Sequence, residues 1–173
     1  VIIAIIIVAI VVIFFLFPQM NIFVKELTTQ SYVENCVKGE FMQAKQKVSS
    51  QGGSLNPELY IMYKDEKIEY LCYTNEFYKT CVMQQPMLKE HIETELKAFT
   101  KPIANQCIDS LKTEMEKRGF EVQAGKVDVD IELVPNNIIV NIISPFTLTK
   151  ESKTSYKNFK FSVDSSLYQF ISI

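Results

Sequence analysis

Charge is missing from the first 24 positions: Val1 to Val24 contains no Asp, Glu, Lys, Arg or His, and Lys25 is the first ionisable side chain. A segment of that composition has no means of staying dissolved in water. Histidine is almost absent, with His91 standing alone, and no Cys-x-x-Cys pair supplies the ligands a zinc site would need. His91 is therefore read as a surface residue and no metal ligands are assigned. Glycine is scarce, five in all, and Gly52-Gly53 lacks the further glycines and the Lys of a phosphate-binding loop. Net charge is −2 with both signs interspersed, so there is no basic stripe for nucleic acid. No Asn-x-Ser/Thr acceptor and no nucleophile motif occurs. These absences argue against an enzyme: no catalytic residues and no cofactors are expected.

What the chain does have begins with the run VIIAIIIVAIVVIFFLF. As a helix, the uncharged stretch would be about 36 Å long, enough to span a hydrocarbon layer of about 30 Å. In lipid its backbone amides have to be satisfied internally, which selects helix in spite of the β-branched Ile and Val. Pro18 would end or kink it. The residues expected to serve as the membrane or assembly helix are Ile2, Ile3, Ile6, Ile10, Ile13, Phe14, Phe17 and Pro18. This N-terminus resembles that of type IV pilin-like subunits. The resemblance implies a leader removed just ahead of Val1 and helices that pack together in a filament core.

Residues 25–173 are expected to form one extracellular α+β domain, making a two-part chain with 1–24. Thr28 to Val48 reads as a helix, because Val33, Val37, Phe41, Ala44 and Val48 recur at helical spacing. Ser49 to Pro57, with paired glycines and a proline, reads as a spacer loop. Beyond it the period drops to two. Leu59–Tyr63, Ile68–Tyr73 and Phe77–Val82 read as a small antiparallel meander whose tyrosines serve ordinary sheet packing. Helix returns from Pro86 to about Arg118, with Ile92, Leu96, Phe99, Ile103, Cys107, Leu111 and Met115 along one face. Pro102 predicts two pieces or a kink near Lys101, and Gly119 supplies the stop.

Strict alternation from Lys126 to Val134, a turn at Pro135-Asn136-Asn137 and the run Ile138–Ile143 read as a hairpin. A further strand is expected from Tyr156 to Val163. Asp128, Asp130 and Glu132 share one strand face. With no glycine-hinged loop beside them, they read as a solvated face neutralised across the sheet by Lys157 and Lys160 rather than as a cation site.

Four cysteines permit three pairings. Cys72 and Cys81 flank a predicted hairpin turn, while Cys36 and Cys107 lie on or beside the apolar faces of the two helices. Closing Cys72 to Cys81 asks little of the backbone, and a Cys36–Cys107 bridge would clip one helix to the other. By loop entropy the short bridge would contribute roughly 3 kcal/mol and the long one roughly 4. Disulfides persist in oxidising surroundings, so the domain is expected outside the cell.

The order Val33-Glu34-Asn35-Cys36, Gln51-Gly52-Gly53, a tyrosine-rich strand, Cys107-Ile108 and Ile142-Ile143-Ser144-Pro145-Phe146 resembles a family of uncharacterised single-span secreted proteins frequent in archaea. The resemblance implies an extracellular α+β domain on an N-terminal helix and hands over no catalytic residues. Two functional expectations follow. One is a structural subunit of a surface filament, a homo-oligomer through residues 1–24 that resides in the membrane before assembly. The other is a single-span, membrane-anchored binding or scaffold protein, with other envelope proteins as partners.

Overall fold

The structure is a computed structural model that describes residues 28–172 of the chain. The expected apolar helix, with Ile2, Ile3, Ile6, Ile10, Ile13, Phe14, Phe17 and Pro18, lies outside the described residues. Among the described residues no helix is long and apolar enough to cross a membrane.

The described chain is α+β. Helix α1 (Thr29–Ser50) starts where the Thr28 hydroxyl accepts the Ser31 amide at 3.2 Å, an N-cap that satisfies one orphan donor. Its stripe of Val33, Val37, Phe41, Ala44 and Val48 is buried as the spacing requires. Helix α2 (Leu88–Lys117) packs beside it, and a disulfide joins Cys36 to Cys107 across the pair. The expected break near Lys101 is absent: α2 is one helix with Pro102 in its interior. Pro102 and Ala98, whose carbonyl its ring frees, are both exposed, so water can serve the lost bond. The cost of an interior proline, about 3 kcal/mol, is offset by the opposite face. There Leu96, Thr100, Ala104, Cys107, Ile108 and Leu111 are buried. Phe99 and Ile103, expected on that stripe, are only partly buried at its flank.

A four-stranded antiparallel sheet forms the other layer. Strand β7 (Asn137–Thr149) is its spine, with β8 (Lys153–Asp164) along one edge. Along the other edge run β6 (Asp128–Val134) and then β5 (Glu121–Ala124). The β6–β7 turn places Pro135 before Asn136, whose φ of 65° is the left-handed geometry that follows proline in a type II turn. The run read as Ile138–Ile143 is only half of β7. Ser144 and Pro145 form an irregularity in the β7–β8 register, a position where the missing proline amide disrupts no regular ladder. Inward alternation continues through it, from Ile138 to Val140, Ile142, Ser144, Phe146 and Leu148. Gly125 makes this bend close-packed: its amide bonds the Pro145 carbonyl at 2.7 Å, and a Cβ there would sit 3.1 Å from the proline ring.

Phe159, Phe161 and Val163 of β8 and Val129, Ile131 and Leu133 of β6 complete the inner face, with Phe41 of α1 edge-on to Phe161 at 6.3 Å. Asp130 and Glu132 face solvent, as expected. Their expected partners are wrong, because β7 lies between β6 and β8: Asp130 registers with Asn141, and only then Asn141 with Lys160. The ion pair made on β6 comes instead from α2, where Lys101 reaches Asp128 at 2.9 Å. Hydrogen bonding from that ammonium holds the Asp128 carboxyl below its ordinary value. A short helix, α3 (Leu167–Ile171), follows β8.

Candidate functional site: a disulfide-closed arm

Between α1 and α2 the chain leaves the two-layer body. The stretch read as a spacer is not loose. Ser49 and Ser50 finish α1, and Gln51, Gly53, Ser54, Leu55 and Pro57 are buried. Gly52 and Gly53 have φ of 81° and 116°, which glycine adopts without strain, and a Cβ on Gly53 would lie 2.8 Å from Leu88 Cδ1 and push that methyl aside.

From Leu59 to Met87 an arm projects. Strand β1 (Tyr60–Tyr63) pairs with β2 (Glu66–Glu69) through a two-residue turn, Lys64-Asp65, whose φ of 48° and 67° is the primed geometry favoured by hairpin twist. A separate ladder joins β3 (Cys72–Tyr73) to β4 (Val82–Met83), and the Cys72–Cys81 disulfide closes it. The continuous meander expected here is thus two small hairpins, and Phe77 to Cys81 is turn and irregular chain rather than strand. Glu76 organises that turn: its amide bonds Thr74 Oγ1 and its carboxylate pairs with Lys79 at 2.7 Å. Lys79, then the Tyr78 hydroxyl, holds the Glu76 carboxyl below its ordinary value, while Tyr78 is raised by the same carboxylate.

Tyr60, Tyr63 and Tyr78 are exposed instead of covered by sheet packing, whereas Tyr70 and Tyr73 are half-buried with ring centroids 5.2 Å apart. Ile61, Met62, Tyr63, Tyr78, Val82 and Met83 are all at least half exposed, and Phe77 is 98% exposed. Exposed large apolar side chains are concentrated here: among the described residues only Met42, Ile143 and Phe170 are exposed outside residues 59–87. The sequence signal of the arm, alternating aromatic and β-branched residues, is the same as that of a covered sheet.

The arm is tied down at its base by a polar cluster. Ser54 Oγ donates to Glu69 Oε2 at 2.5 Å and lies 2.7 Å from His91 Nε2. The single hydroxyl proton is spent on the carboxylate, so the imidazole nitrogen donates to the serine oxygen. Gln85 Nε2 donates to the other Glu69 oxygen, and Glu95 accepts the Leu55 amide at 2.9 Å. His91, expected at the surface, is half-buried at the back of a polar cleft of about 290 Å³. This is not the order of a nucleophile triad: the carboxylate holds the serine, whereas in a triad it would hold the far nitrogen of the imidazole. His91 and Glu95 stand one helical turn apart on α2, a spacing visible in the sequence, but Ser54 comes from the loop after α1 and Glu69 from the end of β2.

A second hollow, about 530 Å³, lies between the end of α1, Gly52-Gly53 and α3, with Val48, Leu71, Ile92, Leu167 and Phe170 on its walls. The expected disulfide residues are where the chain chemistry placed them: Cys36 with Cys107 in the body, Cys72 with Cys81 in the arm, and no free cysteine among the described residues. Comparison with family models, curated proteins and solved structures finds no match.

Proposed function

We propose that the protein is a non-enzymatic structural subunit of an extracellular surface filament, with residues 1–24 packed in the core and the disulfide-braced α+β domain outside. The observation that carries this reading is the uncharged run from Val1 to Val24, rich in Ile, Val and Phe, which has no charged side chain to oppose packing against copies of itself. Burying each large apolar side chain of the run against neighbouring copies contributes about 1.5–3 kcal/mol, enough in sum to outweigh the entropy of association. The two disulfides are consistent with an oxidising, extracellular setting.

A membrane-anchored binding or scaffold protein is the second reading, and the exposed apolar arm favours it, since that surface offers a partner site whether or not residues 1–24 leave the bilayer. Electron microscopy of material sheared from cells, labelled with an antibody to the folded domain, distinguishes the two. Labelled filaments are expected. Protein recovered entirely in the detergent-extracted membrane fraction, with no labelled filament, overturns the filament in favour of the anchor.

A further inference from the structure

We propose that β1 is a self-complementary docking edge through which two copies of this chain pair antiparallel, with Ile61 on the two-fold axis. This inference does not depend on whether residues 1–24 lie in a bilayer or a filament. The phase of the hairpin sets the free edge. Tyr63 and Glu66 flank the two-residue turn, and the Tyr70 amide bonds the Leu59 carbonyl at 2.9 Å. Leu59, Ile61 and Tyr63 therefore turn their backbone groups toward β2, and Tyr60 and Met62 turn theirs away from it. Among the described residues β1 pairs only with β2, so those outward amides and carbonyls form an unpaired strand edge. All four side chains of β1 are exposed as well.

The occupant is identified by charge. Glu58, just before β1, and Lys64, the first turn residue after it, put an acid at one end of the strand and a base at the other, with only uncharged side chains between. Antiparallel pairing centred on Ile61 sets the outward groups of Tyr60 against those of Met62 in the second copy. It also brings Glu58 of each copy to the end of the strand pair where the other copy carries Lys64, twice. Shifting the register by one hydrogen-bonded pair in either direction places Glu58 against Met62 or Lys64 against Tyr60, and both charge pairs are lost. Glu58 and Lys64 are exposed, and neither belongs to the ion pairs found among the described residues. Within one copy they flank opposite ends of the four-residue strand, so they can meet only between copies. The contact is isologous and closes at two copies, unlike the open, repeating contact of a filament core.

The test uses the full chain in detergent micelles and a readout that association through residues 1–24 cannot imitate. In the proposed register Ile61 faces its own copy as a non-hydrogen-bonded pair, with Cα atoms about 4.5 Å apart, within disulfide reach. Ile61→Cys is expected to form covalent dimers under mild oxidant roughly tenfold faster than Phe77→Cys, which is fully exposed but off the edge. In the Ile61→Cys background, Glu58→Lys and Lys64→Glu each slow that cross-linking roughly tenfold, by setting like charges opposite, and the double swap restores it. Far-ultraviolet circular dichroism confirms that the variants are folded. Equal rates at the two cysteine positions, single swaps without effect, or a double swap that fails to recover would each overturn the proposal.

Discussion

Phe159 and Phe77 are the same side chain in two regions of one domain, the first 0% exposed and the second 98%. Phe159 sits on β8, between Phe146 and Tyr156, under the helical layer. Phe77 sits in the disulfide loop of the arm with Tyr78 edge-on beside it and no layer above. The body is held by one-sided burial across two packed layers. The arm is held by local devices instead: a primed turn, a short disulfide, and the Ser54–Glu69–His91 cluster at its base. The contrast separates the part of the chain that supplies stability from the part that displays surface.

Substitutions can sharpen or break this contrast. The largest effect is expected from replacing Cys36 and Cys107 together by Ala, because that bridge closes a loop of 71 residues that joins the two core helices. A loss of about 4 kcal/mol is expected in urea denaturation, as an upper-end figure from chain entropy. Next, Leu111→Ala in the fully buried face of α2 should cost about 3 kcal/mol, while Phe77→Ala should stay within about 0.5 kcal/mol. Comparable losses at both positions would mean that the arm is part of the core. Replacing Cys72 and Cys81 by Ser, with a sequence separation of 9, removes up to about 3 kcal/mol of constraint. The loss should appear in the arm: amide exchange from Tyr60 to Met83 speeds up by roughly a hundredfold while body amides hold their rates. Exchange accelerating equally throughout would show one cooperative unit in place of two.

The smallest effect is expected from Lys101→Met. Asp128 has a folded-state pKa below its unfolded value, so its contribution is fully present above the unfolded value, near 3.8, and is lost as pH falls through the folded one. Removing the ammonium should raise the Asp128 pKa toward the ordinary range, measurable by nuclear magnetic resonance titration. Because the pair is exposed, stability at neutral pH should stay close to that of the parent.

Legibility in the sequence followed the same division. The stripe of α1 and the alternation of β6 could be read residue by residue, since a period near four or of two means burial on one side whenever a second layer exists. The arm has the same alternation of aromatic and β-branched residues, and reading it as covered sheet led to the wrong environment for Tyr60, Tyr63, Phe77 and Tyr78. At the base of the arm only the one-turn spacing of His91 and Glu95 was open to sequence reading. Ser54 and His91 meet across 37 residues and Ser54 and Glu69 across 15, and a lone histidine with no nearby partner in sequence announces nothing. Strand β5 went unread because its single half-buried side chain, Val122, is too little alternation to register.

The amino-acid order alone determined the uncharged character of residues 1–24, the amphipathic stripe of α1, the inward set of β6 and the economy of joining Cys36 to Cys107 and Cys72 to Cys81. Each of these is a property of neighbours along the chain or of a repeating period. Tertiary structure alone decided that α2 runs through Pro102, that β7 continues past Ser144-Pro145, that Lys101 rather than Lys157 or Lys160 meets Asp128, and that nothing among the described residues covers the arm. A proline is tolerated where water reaches the freed carbonyl or where the ladder is already irregular, and an apolar face is core only where something covers it. Those conditions belong to the surroundings of a residue, and the surroundings exist only once the chain has folded.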